Sequence, residues 1–346
     1  MILAGDIGGT HTRLAFFEVE AGKLRLLSSE VYPSRDYPGL DQIVSKFVAG
    51  KEAPTLATFG IAGPVRDGRV ETPNLPWVVQ AESLSRDLNI KRALLINDLQ
   101  ANAMGIAALD PSDFVELNRP KGTPSGNVAV VAAGTGLGEA GMYWDGTQHH
   151  VFASEGGHCD FAPRTELEMD LLRYLRGRFG HVSYERVVSG PGLVNIYHFL
   201  RENTHTAEPE WLSAEMAHDD ASAVISRSAA AGTCPVCEQA VDTFVSIYGA
   251  EAGNVALKFM AVGGIYLGGG IAPKMVAKLS GPLFMGAFAA KGRMQPLLEG
   301  IPVKVIANEN TALLGAARTA ALAGGLLATT PSTPEANTAP EANTAP

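Results

Sequence analysis

Cysteine is scarce in this chain: Cys159, Cys234 and Cys237 are the only three among 346 residues. An odd, sparse set rules out a disulfide framework and fits a reducing compartment, so a cytoplasmic location is expected. Cys234-Pro-Val-Cys237 has the spacing of a redox or half-zinc motif. It lacks a second such pair and neighbouring histidines, so four zinc ligands cannot assemble locally, and two thiols at the start of a helix is the simpler reading. Positive charge is also short, with 27 Lys and Arg against 36 Asp and Glu and a formal net charge of −9. That balance argues against nucleic acid and anionic membrane as partners. No basic leader with a cleavage-like site is visible at the start of the chain, and no uncharged apolar stretch is long enough to span a bilayer. The longest apolar run, Leu313 to Ala328, is broken by Arg318 and reads as a packed helix.

Glycine is plentiful and clustered. Gly5-Asp6-Ile7-Gly8-Gly9-Thr10 and Gly134-Thr135-Gly136-Leu137-Gly138 each lie between two apolar, strand-like runs. Each reads as a hairpin whose turn presents backbone N–H groups with no Cβ in the way, a surface suited to phosphate oxygens. Two such turns facing one another would grip one nucleotide from both sides, which points to phosphoryl transfer.

The rest of the chain repeats one plan. Strands are expected near 2–5, 13–19 and 24–31, then a helix over about 40–49 with Leu40, Ile43, Val44, Phe47 and Val48 on one face, and a buried strand from Thr55 to Ile61. A short helix near 81–88 leads to the strand Ala93–Ile96 and a helix over about 99–109. The pattern restarts after Gly126 with strands near 128–133, 139–144 and 149–153. Helices follow near 166–176, where Thr165 and Glu168 have capping-box spacing, and 191–201. A mainly helical insertion covers 203–262, then comes a glycine-rich strand and turn at 261–271, a strand at 301–307, and a last helix capped by Asn310. This is a duplicated α/β plan around a cleft. It divides into a small domain (1–109 with the helix at about 308–324) and a large domain (110–307). The proline-rich repeat within 325–346 is expected to be disordered.

Active sites on such open sheets lie beyond the carboxyl ends of strands, where Asp6, Asp98 and Gly134 all map. A carboxylate in a phosphate-binding turn needs an intervening cation, so Asp6 is a candidate to hold magnesium through a water. Thr10 and Thr12 offer hydroxyls, and Arg13 is either a phosphate clamp or a charge on the hairpin. Asn97-Asp98 is the candidate catalytic pair, with Asp98 either a base for an alcohol or the cap of the next helix. In Ser154-Glu155-Gly156-Gly157-His158-Cys159-Asp160 the glycines let Glu155 and His158 enter one cleft, where they supply the acceptors and donors a polyol needs. A metal is the rival reading of that cluster. Glu185 is a further candidate acceptor. Gly268, Gly269 and Gly270 would let a flat base lie against the backbone, or would serve close strand–helix packing.

Taken together, these segments, with Gly180-His181-Val182-Ser183-Tyr184-Glu185-Arg186-Val187 and Ser189-Gly190-Pro191-Gly192-Leu193-Val194-Asn195, resemble the bacterial glucokinases of the hexokinase–actin–Hsp70 superfamily from about residue 1 to 325. The resemblance implies two RNase H-like, actin-like ATPase domains around a central cleft. It implies a glucose site of Asn97, Asp98, Glu155, His158 and Glu185, with Asp98 as the base for the 6-hydroxyl. It also implies ATP phosphates between Gly5, Asp6, Ile7, Gly8, Gly9 and Thr10 on one side and Gly134, Thr135 and Gly136 on the other, adenine near Gly268–Gly270, magnesium, and a cytoplasmic homodimer. His11 stands where this family often has Asn. The related sugar kinases and repressors carry a cysteine-rich zinc motif where this chain has only Cys159, so no structural zinc is expected. Kinases of mannose, fructose or an N-acetylated sugar remain alternatives. A sugar-sensing repressor, which needs a DNA-binding segment, and an actin-like filament protein, which has no use for Glu155 and His158, are the readings from other classes.

Overall fold

A computed structural model describes residues 1–72, 74–122 and 125–328. The first lobe opens with the antiparallel meander β1 (Ile2–Ile7), β2 (His11–Glu20) and β3 (Lys23–Pro33). After α1 (Leu40–Val48) the chain adds β4 (Leu56–Ile61) parallel to β1. The small hairpin β5 (Arg69–Glu71) and β6 (Val78–Gln80) and the helix α2 (Ala81–Asp87) then lead to β7 (Arg92–Asn97), parallel to β4. The sheet order is β3-β2-β1-β4-β7. Side chains alternate across a strand, so β1 and β2 bury both faces on different partners. Leu3, Ile7, Leu14 and Phe16 meet Ile43, Val44 and Phe47 of α1, while Ile2, Ala4, Ala15 and Phe17 meet the last helix of the chain.

Helix α3 (Asp98–Ile106) follows β7 directly and leads to β8 (Phe114–Asn118). The second lobe then repeats the meander with β9 (Val128–Ala133), β10 (Leu137–Trp144) and β11 (His149–Ser154). Five helices follow: α4 (Glu166–Phe179), α5 (Gly190–Asn203), α6 (Glu210–His218), α7 (Ala221–Ala230) and the long α8 (Pro235–Phe259). The chain returns through β12 (Gly264–Gly268), α9 (Val276–Leu279), α10 (Pro282–Ala289), α11 (Gln295–Glu299) and β13 (Val303–Ile306), and ends its folded course in α12 (Thr311–Ala323). The sheet order is β11-β10-β9-β12-β13-β8, with β9, β12 and β13 parallel to one another. Its first five strands repeat the order of the first sheet. β8 is an added antiparallel edge that sequence reasoning missed, as it missed β5 and β6.

Two helices join the lobes. α3 lies on the second sheet through Leu99, Ala103 and Ile106 against Val128, Val130, Ala140 and Met142. α12 covers the first sheet. They cross where Gly105 and Gly315 are so close to the backbone of Thr311 and Ala101 that neither position has room for a Cβ.

Three local expectations need correction. Asn310 precedes α12, but its side chain makes no cap bond; Asn308 Oδ1 accepts from the Asn310 N–H, and Thr311 Oγ1 donates to the Asn308 carbonyl. Thr165 caps α4 by accepting from the Glu168 N–H, but Glu168 does not complete a capping box. Its buried carboxylate reaches one residue further back, accepting from both the backbone N–H and the guanidinium of Arg164, where one bond is charge-assisted. α3 spans 98–106, starting one residue before and ending three before the expected bounds. At the other end Gly325 takes a left-handed φ of 69°, and the N–H groups of Leu326 and Leu327 bond to the Ala321 carbonyl. The tail expected to be disordered lies outside the described residues from 329 onward.

Candidate active site

The first glycine turn joins β1 to β2. Gly8 N–H donates to the His11 carbonyl at 2.9 Å, and no described residue accepts from the N–H of Gly9 or Thr10. Ser34, beyond β3, pins the turn from below: its hydroxyl donates to the Gly8 carbonyl at 2.8 Å and meets Thr12 Oγ1 at 3.0 Å. Thr12 is fully buried, so its hydroxyl holds the hairpin and is not offered to a ligand. The side chain of Thr10 is exposed. Arg13 bonds the Glu309 carbonyl at 3.0 Å, linking the hairpin to the segment that enters α12.

The second turn joins β9 to β10 and is one residue tighter. Gly134 N–H donates to the Gly136 carbonyl at 2.8 Å, and no described residue accepts from the N–H of Thr135 or Gly136. Gly190, at the start of α5, donates to the Gly134 carbonyl at 2.8 Å, and Ile271, beyond Gly268–Gly270, donates to the Ala133 carbonyl at 3.2 Å. Gly268–Gly270 therefore sit against the base of this turn. Each turn thus offers two unclaimed N–H groups at its tip, the donor pattern that suits phosphate oxygens.

Asp6 and Asp98 stand at the carboxyl ends of β1 and β7, with β4 between them. The register Asp6–Gly60–Ile96 places Asp98 just past the sheet edge on the same side. Burial and then the Asp98 carboxylate push Asp6 from 3.8 up to about 6, against the opposing pull of the Arg13 guanidinium. Burial also raises Asp98, and Glu155 adds to the rise. The Leu99 N–H, which donates to Asp98 Oδ1 at 3.0 Å, works against it. A raised carboxylate is a better proton acceptor near neutral pH.

Asn97 forms a full capping box at the start of α3. Its Oδ1 accepts from the Leu99 N–H at 2.9 Å, the Gln100 side chain returns to the Asn97 N–H, and Asn97 Nδ2 donates to the Gly63 carbonyl at 3.1 Å. Asn97 therefore caps the helix that sequence reasoning gave to Asp98 as its plain alternative, and it aims Asp98 into the cleft. Leu99 abuts Gly138, where there is no space for a Cβ. Asp98 is thus one residue from a contact with the second turn, while its charge reaches Asp6 in the first.

On the second lobe Glu155, His158 and Glu185 converge. His158 lies 3.9 Å from Glu155 and 4.0 Å from Glu185. Glu155 and His158 are open to solvent, and Glu185 is about two-thirds covered. Glu185 Oε2 accepts from the Leu137 N–H at 3.0 Å, and it lies so close to Gly136 that a Cβ there would overlap it. The same carboxylate thus faces His158 and holds the second glycine turn. Sequence reasoning missed this link, because Gly136 reads there as a phosphate contact alone.

Among the described residues no group of three or more His, Cys, Asp or Glu side chains could hold a metal ion. A single carboxylate beside free turn N–H groups instead fits a magnesium that keeps water and phosphate oxygens as most of its ligands. Cys234 caps α8 by accepting from the Cys237 N–H at 3.4 Å, and both thiols are buried. No helix of the described residues is long and apolar enough to cross a membrane.

A family model described as Glucokinase matches residues 3–323. A glucokinase from a Nostoc species is 42% identical over 93% of this chain and 99% of its own length. One from a Synechocystis species is 41% identical over 92% and 97%. Among solved structures, a glucokinase from an Antarctic psychrotroph superposes with a TM-score of 0.79 at 31% identity, covering 92% of this chain and 98% of that one.

Proposed function

This chain belongs to the glucokinase family, and on that premise we propose that its cleft transfers the γ-phosphoryl group of ATP to the 6-hydroxyl of glucose with Asp98 as the base. The observation that carries the reading is the placement of Asp98: its carboxylate feels both Asp6 and Glu155, and its neighbour Leu99 touches the second glycine turn. The glucose hydroxyls meet Glu155, His158, Glu185 and Asp98. Asn97 Oδ1 is committed to the Leu99 N–H, and its amide donates to the Gly63 carbonyl and reaches the Asp98 carboxylate, so Asn97 meets the sugar beside the base it holds. The N–H groups of Gly9, Thr10, Thr135 and Gly136 donate to phosphate oxygens, and adenine lies along Gly268–Gly270.

As the 6-oxygen attacks the γ-phosphorus, Asp98 takes its proton, the bond to the β–γ bridging oxygen breaks, and ADP leaves. Charge spreads over the transferring group in such reactions, so preorganised N–H donors aimed at it do most of the stabilising. Magnesium, when bound, neutralises part of that charge, and Asp6 would hold it through water. The small domain (1–109 with 308–324) closes on the large one (110–307) about the α3–α12 crossing and excludes water as a rival acceptor. The three unpaired cysteines suit a cytoplasmic location, and the assembly we propose is a homodimer, readable by sedimentation velocity.

The test is initial rates over a panel of hexoses and phosphoryl donors, with Asp98→Ala beside the wild type. Glucose with ATP is expected to give the highest kcat/KM, and Asp98→Ala to lower kcat by about 10³-fold or more with a much smaller change in glucose affinity. Near-normal turnover in that variant removes Asp98 from the role, and a better hexose removes glucose.

A further inference from the structure

Beneath the sugar-side turns lies a pair of carboxyl groups with no part in the chemistry above. Glu139 is on β10, opposite Ser154 of β11, and is 2% exposed; Glu251 is on α8 and is 0% exposed. The two carboxyl groups are within hydrogen-bonding reach of one another. Among the described residues no donor reaches Oε1 of either. Lys258 Nζ, at 3.6 Å from Glu251 Oε1, is the nearest cation.

Each member of the pair touches one arm of the sugar cluster. Glu139 Oε2 lies against Gly156, where it leaves no space for a Cβ, and Gly156 N–H is tied to Ser154 Oγ at 2.9 Å. Gly156 follows Glu155 and begins the 3₁₀ turn that carries His158. Glu251 Oε2 accepts from Asn254 Nδ2 at 2.8 Å, and the same amide reaches the Tyr184 hydroxyl at 2.9 Å. Tyr184 begins the 3₁₀ turn that carries Glu185. The pair therefore bridges the two backbone segments that present Glu155, His158 and Glu185.

We propose that Glu139 and Glu251 share one proton and act as a positioning pair, setting the relative height of the two sugar-binding turns. This rests on the reading of Glu155, His158 and Glu185 as sugar ligands. Two buried carboxyl groups in contact do not both ionise, so one donates to the other. Ionising both would drive them apart and move Gly156 and Tyr184 with them. Consistent with this, burial and the neighbouring Glu251 push Glu139 up to about 8, against the pull of Lys258. The titratable groups facing the pair are Lys258 and Tyr248 on α8, Tyr184 on its turn and, beyond Asn254, Lys291. Lys291 donates to Asn254 Oδ1 at 2.6 Å and is lowered by burial to about 8. Lys291 is common to every variant below, so only differences between pH profiles report the pair.

The experiment compares wild type, Glu139→Gln and Glu139→Ala in the full chain, with KM for glucose and for ATP measured from about pH 6 to 9. Glu139→Ala is expected to raise the glucose KM by about tenfold or more while the ATP KM stays within about twofold. Glu139→Gln puts an amide donor where the acid O–H stood, so it is expected to bring the glucose KM back to within about threefold of wild type. Wild type is expected to lose kcat/KM for glucose above about pH 8 as the shared proton leaves, and Glu139→Gln to lack that fall. Circular dichroism and Tm accompany each variant; if Glu139→Ala does not fold, the pH difference between wild type and Glu139→Gln decides alone. An unchanged glucose KM in folded Glu139→Ala, a Gln variant as impaired as Ala, or superimposable wild-type and Gln pH profiles would each overturn the proposal. A wild-type chain inactive on glucose would overturn the reading of the site itself, and this inference with it.

Discussion

Asp6→Asn should make the ligand-free protein more stable while impairing its chemistry. Asp6 is raised from 3.8 to about 6, chiefly by burial and then by Asp98. The folded state therefore holds the proton more tightly than the unfolded chain. With a raised carboxyl the stability contribution is fully present below the unfolded value of 3.8 and is lost as pH climbs through about 6. A rise of roughly two units is worth about 3 kcal/mol at about 1.4 kcal/mol per unit. Part of the side chain faces the open cleft, where water screens it, so the gain on neutralising it is between about 1 and 3 kcal/mol above pH 6. Roughly half of that gain should remain at about pH 5, and almost none below about pH 4. Urea unfolding of the two proteins across that range, without nucleotide, reads the difference directly. Adding ATP and magnesium should narrow the gap, because a nearby cation favours the ionised Asp6 of the wild type. A gap that is flat with pH, or that favours wild type above pH 6, would show that Asp6 is not held against its charge. Normal kcat in Asp6→Asn would separate it from the metal role.

Other substitutions probe the frame of the site. Gly136→Ala should push Glu185 off the Leu137 N–H and so raise the KM for both glucose and ATP, which steady-state kinetics would separate from a change at one substrate alone. Ser34→Ala leaves the buried Thr12 hydroxyl and the Gly8 carbonyl without their partner, and should cost about 1–3 kcal/mol in urea unfolding with a raised ATP KM. Gly315→Ala places a methyl group into the Ala101 carbonyl and should cost about 1–3 kcal/mol. Because α3 carries Asp98 at its start, kcat should fall in Gly315→Ala more than either KM changes.

Much of this protein is legible without coordinates, because the signals involved are local. The period of Leu40, Ile43, Val44 and Phe47 makes α1 and its buried face in one stroke. The glycine turns mark both hairpins, and Asp6 and Asp98 mark strand ends, because each needs only its immediate neighbours to be read. The three-strand, helix, strand opening, seen twice, implies the two lobes.

Tertiary structure decided what depends on a partner far along the chain. β8 has no strong alternation of its own, and β13 makes it a strand. Sequence offered Asp98 as the cap of α3, and the Gly63 carbonyl and Gln100 settle Asn97 in that position instead. Gly136 reads as a phosphate contact until Glu185 arrives beside it. Glu139 reads as one more polar residue on a strand until α8 covers it with another carboxylate. Backbone propensity and turn chemistry are properties of a short stretch of chain, whereas burial, and with it the protonation of an acid, is a property of whatever the fold brings across from it.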